Sequence, residues 1–172
     1  MISRADVEHH IEEKIAEGNR KFNAQASVDT IQYIPKLTVD GKSTYGTAGF
    51  DTNDAGEKVW ALKFSLEVFT FDPQFLLDEV VPHEVAHLVA MWLYVNGNKK
   101  AGELGHGVKW QKIAKALGSS GKESVDFLYK LQSGDTIALP INQHYDVTKK
   151  GHNLRTKHGE RITAAMYQGP NI

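Results

Sequence analysis

Two histidines four residues apart, His83 and His87, bracket a glutamate within residues 80–90 and give the pattern H-E-x-x-H. On a helix each residue advances about 100°, so the two imidazoles stand one turn apart on one face. That spacing holds a single Zn²⁺ and leaves room for a third protein ligand and a water. Glu84 sits beside the first imidazole, where its carboxylate can reach such a water and take its proton. Val85, Ala86, Leu88, Val89 and Ala90 make this helix apolar over most of its surface. Two imidazoles and a carboxylate inside it are expensive to desolvate unless something pairs with them, and a metal ion would do so. The plainer reading is a buried helix whose histidines bond core carbonyls. A third ligand is what separates the two.

The residue placed to serve is His106. Trp110, Ile113, Ala114 and Leu117 follow at helical spacing, so a helix is expected to begin at or near His106 and to end at Gly118. His106 and Trp110 then share its buried face. Gly105 and Gly107 flank the histidine and are expected to let the backbone come close to the first helix. Glu103, in the polar loop over residues 98–105, is the alternative ligand. Lys109, Lys112 and Lys115 fall on another side of the same helix, either as a solvated face or as a basic stripe bordering the site. A metzincin would carry a further histidine six residues after His87; Leu93 stands there, so that class is excluded. Nothing suggests a serine or cysteine nucleophile, and the glycines form no phosphate-binding loop.

Composition narrows the chemistry further. The chain has 172 residues and no cysteine, which removes disulfides and thiolate metal sites. Any zinc must be held by histidine, carboxylate and water. A net charge of −1 excludes a general polyanion binder, so affinity for nucleic acid would have to come from a local patch. The N-terminus has no apolar core of a secretory signal, and the longest apolar run, residues 88–95, is too short to span a bilayer. A soluble cytoplasmic protein without a membrane partner is the expectation.

The remaining elements must position these residues. Ser3 and Asp6 read as a capped start for an amphipathic helix built on Val7, Ile11, Ile15 and Phe22, with Gly18-Asn19 weakening or ending it. Residues 30–39, broken by Pro35, then 45–50 and 58–65 read as strands, with turns at Asp40-Gly41 and over 51–56. Trp60, Leu62 and Phe64 alternate onto one face of the last. Three strands in succession suggest a small antiparallel meander whose edge could take up an extended peptide. Asp72-Pro73 opens the next helix, Pro82 should kink or restart it before His83, and Asn96-Gly97 should stop it. Beyond Gly121 the expectation is a short helix over 124–131, then strands over 136–147 and 161–167. Between those strands Lys149, Lys150, Arg155, Lys157 and Arg161 stand against a single acid, Glu160, with His152 and His158 interleaved. That is a candidate DNA-binding patch or a plain basic surface. There is no internal repeat.

With Gly105-His106-Gly107-Val108-Lys109-Trp110 added to the histidine–glutamate motif, the chain resembles the SprT-like (Spartan) metallopeptidase family. Asn19 and Phe22, Ala48-Gly49, the run Glu79-Val80-Val81-Pro82-His83-Glu84 and His106-Gly107 carry the resemblance in order, up to about Gly118. It implies an α+β, zincin-like fold with an N-terminal helix, the small sheet, the H-E-x-x-H helix and a second ligand-bearing helix. It also implies a zinc-dependent protease with His83, His87 and His106 as metal ligands and Glu84 as catalytic base. The family is linked to cleavage of proteins bound or crosslinked to DNA. Residues 1–118 would be the peptidase core. Residues 119–172 would be a basic, hairpin-like extension that keeps the outline of a zinc ribbon without its thiols, so a second structural zinc is not expected. The rival is a zinc-stabilised module that binds DNA or protein and cuts nothing, and it has no use for Glu84.

Overall fold

A reciprocal cap opens the first helix. Ser3 Oγ accepts the Asp6 N–H at 3.2 Å while the Asp6 carboxylate accepts the Ser3 N–H at 2.7 Å, which satisfies donors that a helix start otherwise leaves bare. In the computed structural model, which describes residues 1–124, 127–130 and 136–139, helix α1 runs Arg4–Phe22. It does not stop at Gly18. That glycine is a point of close approach instead: an ideal Cβ there would stand 2.9 Å from Cγ2 of Val89 on the histidine-bearing helix. The helix ends at Asn23, in the left-handed region at φ 52°. Asn19 fastens the returning chain, donating to the Ala26 carbonyl and accepting from the Ala26 N–H, both at 2.9 Å.

The expected antiparallel meander is corrected to a mixed sheet. Strand β1 (Thr30–Ile34) stops at Pro35. Residues 35–45 then reverse the chain through a small ladder of β2 (Thr38–Val39) and β3 (Lys42–Ser43), turned at Asp40 and Gly41 with φ of 51° and 75°. Strand β4 (Gly46–Thr52) pairs antiparallel with β5 (Lys58–Ser65), whereas β1 lies parallel to β5 on its other side, giving the order β1-β5-β4. Asp29 fixes that parallel pairing: its carboxylate accepts the Trp60 N–H at 2.7 Å and its own N–H donates to the Trp60 carbonyl at 2.9 Å. Alternation along a strand reports which residues face the core and says nothing about neighbour order. Leu62 and Phe64 are fully buried, as their alternation implies. Among the described strands, β4 is an edge, and it packs against the histidine-bearing helix.

Ser65 closes β5 and caps α2 (Leu66–Phe71). Asp72 caps the short α3 (Pro73–Phe75), its carboxylate accepting the Phe75 N–H at 2.9 Å. A π-helical turn, Leu76–Val80, leads into α4 (Val81–Val95). Pro82 has no N–H to give, and the wide turn before it, with the Val81 N–H on the Leu76 carbonyl, changes the bonding register where that donor is missing. Helix α4 is the centre of the core: Val81, Val85, Leu88 and Val89 are buried against α1, α5 (Val108–Ala116) and β4. Past α5, the Glu79 carboxylate accepts from both hydroxyls of Ser119 and Ser120 and from the Ser120 N–H, which ties the π turn to the end of α5.

The short helix expected over 124–131 is also corrected. Phe127–Lys130 forms strand β6, antiparallel to β7 (Thr136–Leu139). A brief apolar run fits either period, and pairing decided it. The expected strand beyond Leu139, the strand over 161–167 and the basic residues Lys149, Lys150, Arg155, Lys157 and Arg161 lie outside the described residues. No helix among the described residues is long and apolar enough to cross a membrane.

Candidate metal centre

Helix α4 places His83 and His87 one turn apart, and their rings lie 5.1 Å from each other, centroid to centroid. The third imidazole does not come from a helix, contrary to the expected second ligand-bearing helix. His106 precedes α5, and Gly107 stands at that helix's N-cap. Its Nε2 lies 3.2 Å from His83 Nε2 and 2.9 Å from His87 Nε2. The three side chains can each offer one nitrogen, all within 4.8 Å of one another. Among the described residues this is the one such cluster of His, Asp and Glu.

This donor set fits a metal ion. Nitrogens at about 2.1 Å from a tetrahedral centre stand roughly 3.4 Å apart, near the 3.2 Å and a little beyond the 2.9 Å found. Burial, with His106 nearby, pulls His83 down to about 4, and burial together with His83 and His106 pulls His87 down to about 3. Both are therefore neutral at ordinary pH and present lone pairs. Lone pairs facing each other repel, and one proton can bridge only one of the two close contacts. A cation between all three satisfies them together.

Trp110 is the floor. Fully buried, its ring centroid lies 4.6 Å from His83, 5.0 Å from His87 and 4.6 Å from His106. Its indole N–H donates to the His83 carbonyl at 3.3 Å. The loop before it sets where His106 falls. The Glu103 N–H donates to the Ala90 carbonyl of α4 at 3.2 Å. Gly102 passes so close that a Cβ would collide with the Ala90 carbonyl and the Tyr94 nitrogen. The Glu103 carboxylate then accepts the Trp110 N–H, replacing the cap that Gly107 has no side chain to make. Glu103, the alternative ligand of the sequence reading, thus holds the helix start while His106 joins the cluster. The close approach expected of Gly105 belongs to Gly102, since Gly105 borders open space. Lys109 is no free cation: its ammonium donates to the carbonyls of Lys99 and Gly102 and ties the loop down.

Glu84 points into the same place. Its Oε1 is 4.0 Å from His83 Nε2, and burial alone pushes its carboxyl up to about 8. A cation at the imidazoles would draw that value back down. Gly46 of β4 makes the room, because an ideal Cβ there would stand 2.8 Å from Glu84 Cγ. Glu123 was missed by sequence reasoning. Its Oε1 lies 3.6 Å from His106 Nδ1, at the rim of a cleft of ≈ 360 Å³ into which all three histidines and Glu84 open. No motif signals a partner from beyond α5. No tyrosine, lysine or arginine is among the described residues lining this cleft.

Known proteins match the chain along most of its length. The chain is 20% identical over 164 residues to Protein SprT of Proteus mirabilis (strain HI4320), covering 88% of this chain and 86% of that one. It is 25% identical over 167 residues to Protein SprT of Shigella sonnei (strain Ss046), covering 94% and 93%. No solved structure matches it significantly. The SprT-like family model matches residues 11–129, a span that includes Glu84 and all three histidines, and on that match the chain belongs to the SprT-like family.

Proposed function

We propose that the chain is a zinc-dependent endopeptidase that activates a water at the three-histidine centre, with Glu84 as general base. One observation carries this reading: a buried carboxylate shares a solvent-open cleft with three convergent imidazoles, 4.0 Å from one of them. Zinc suits a neutral, all-nitrogen donor set. A Zn²⁺ held there would supply the acidification of a water to near neutrality and the polarisation of the carbonyl to be attacked. His83, His87 and His106 would hold the ion, and Trp110 keeps their rings in place. Glu84 takes the water's proton on its carboxylate and returns it to the departing amine nitrogen. Edge strand β4 offers its backbone to an extended peptide and lays the scissile bond over the histidines.

A closed structural site would need a fourth protein donor, and the described cluster has three. This favours the enzyme over a zinc-stabilised binding module. The family resemblance extends the proposal to proteins associated with DNA as substrates. Lys149, Lys150, Arg155, Lys157 and Arg161 in the extension over 119–172 would be the DNA contacts, with an affinity that falls steeply as salt rises.

The test compares purified wild type, Glu84→Gln and His106→Ala for bound zinc and for cleavage of an unfolded protein substrate, with and without DNA. Wild type and Glu84→Gln should both hold one equivalent of zinc, and only wild type should cut. His106→Ala should lose most of its zinc. Equal cleavage by wild type and Glu84→Gln would remove the assigned role of Glu84.

A further inference from the structure

The cleft that holds the histidines is also lined by apolar side chains. Met91 lies one helical turn beyond His87 on α4, about 6 Å further along the axis. It lines the cleft together with Ala48 of β4, Val39 of β2 and Leu104. Leu104 directly follows Glu103, whose N–H is held at 3.2 Å by the carbonyl of Ala90, the residue before Met91, and both Leu104 and Met91 line the cleft. Leu104 is 58% exposed and Val39 48% exposed. Two large apolar side chains thus face solvent inside the same cleft that holds the histidines, where an aliphatic group would cover them.

We infer that Met91, Leu104, Val39 and Ala48 form a side-chain subsite for an aliphatic residue of the substrate, within two positions of the scissile bond. An extended peptide advances about 3.3 Å per residue, so two residues span the step from His87 to Met91. No lysine or arginine among the described lining residues is placed to receive an acidic side chain there. The inference rests on the peptidase reading and adds what that peptidase selects.

The experiment uses unstructured peptides identical except for Leu, Ser, Asp or Arg at a single position, scanned across the sequence. Cleavage by full-length wild type is mapped by mass spectrometry. Binding of the same peptides to zinc-loaded Glu84→Gln is measured by fluorescence anisotropy. Leu should be preferred over Ser and Asp at one fixed position by about tenfold or more, in both assays. Leu104→Asp, a change at an exposed side chain, should erase that preference and favour Arg instead, with zinc content unchanged. Cleavage indifferent to the varied residue, or a Leu preference that survives Leu104→Asp, overturns the subsite and leaves the peptidase reading standing. Leu-selective binding without cleavage by wild type overturns the peptidase reading, and with it the subsite's place beside a scissile bond, while keeping the aliphatic pocket. Neither binding nor cleavage overturns both.

Discussion

Gly46 and Glu84 exclude each other's bulk: a Cβ on Gly46 would sit 2.8 Å from Glu84 Cγ and 3.0 Å from its Oε1. The glutamate is walled on one side by the strand that would carry substrate. Gly46→Ala should therefore displace the carboxylate by a fraction of an ångström while leaving the histidines alone. Loss of geometry at a reacting group is steep, so kcat/KM should fall by about 10- to 100-fold with zinc content unchanged. Steady-state kinetics beside metal analysis checks this, and an alanine variant of wild-type activity would show that the contact does not position Glu84.

Trp110 supports all three imidazoles at once, and its indole N–H holds the His83 carbonyl. Trp110→Phe keeps an aromatic floor and drops the hydrogen bond, so a loss of about 1 kcal/mol is expected. Trp110→Ala opens a core cavity and should cost about 3–5 kcal/mol. It should also speed zinc release, because the rings lose their common support. Urea unfolding combined with chelator competition separates the two effects.

Glu103 acts on His106 through the start of α5. Glu103→Ala removes the cap on the Trp110 N–H and should destabilise by about 1 kcal/mol. Its sharper signature is a weaker hold on zinc, whereas Glu103→Gln, which keeps an acceptor, should restore most of it. Zinc affinities of the two variants that fall equally would point to lost charge rather than a lost cap.

Metal-free protein should have a stability maximum near pH 6.5, the ordinary histidine value. His83 and His87 are lowered on folding, to about 4 and about 3, so the unfolded chain takes up protons first and stability falls as pH drops below 6.5. Glu84 is raised from 4.5 to about 8, so the unfolded chain gives up its proton first and stability falls as pH climbs towards 8. Glu84→Gln should remove the alkaline fall, by about 2 kcal/mol between pH 6.5 and 8, and steepen the acid limb, because the raised Glu84 opposes the two histidines from about pH 4.5 upward. Denaturant melts of metal-free wild type and variant from pH 5 to 8 measure it. An alkaline fall that persists in Glu84→Gln would assign that limb to another group.

The local signals in the chain settled a good deal. Ser3 and Asp6 fixed the start of α1, Asp72-Pro73 that of α3, and Asn96-Gly97 the end of α4, because caps and stops depend on a few adjacent residues. The i, i+4 spacing of His83 and His87 put both rings on one face for the same reason. Tertiary structure decided what depends on distant neighbours. Strand β1 lies parallel to β5 because Asp29 pairs with Trp60, and no periodicity encodes that partner. Residues 127–130 became a strand because 136–139 offered a ladder. His106 reaches the other two imidazoles from a loop rather than a helix, since Gly102 lets that loop lie directly on α4 and Glu103 caps the helix behind it. Which ligands a short motif contains is written in residue spacing; which third residue meets them depends on contacts between segments far apart in the chain.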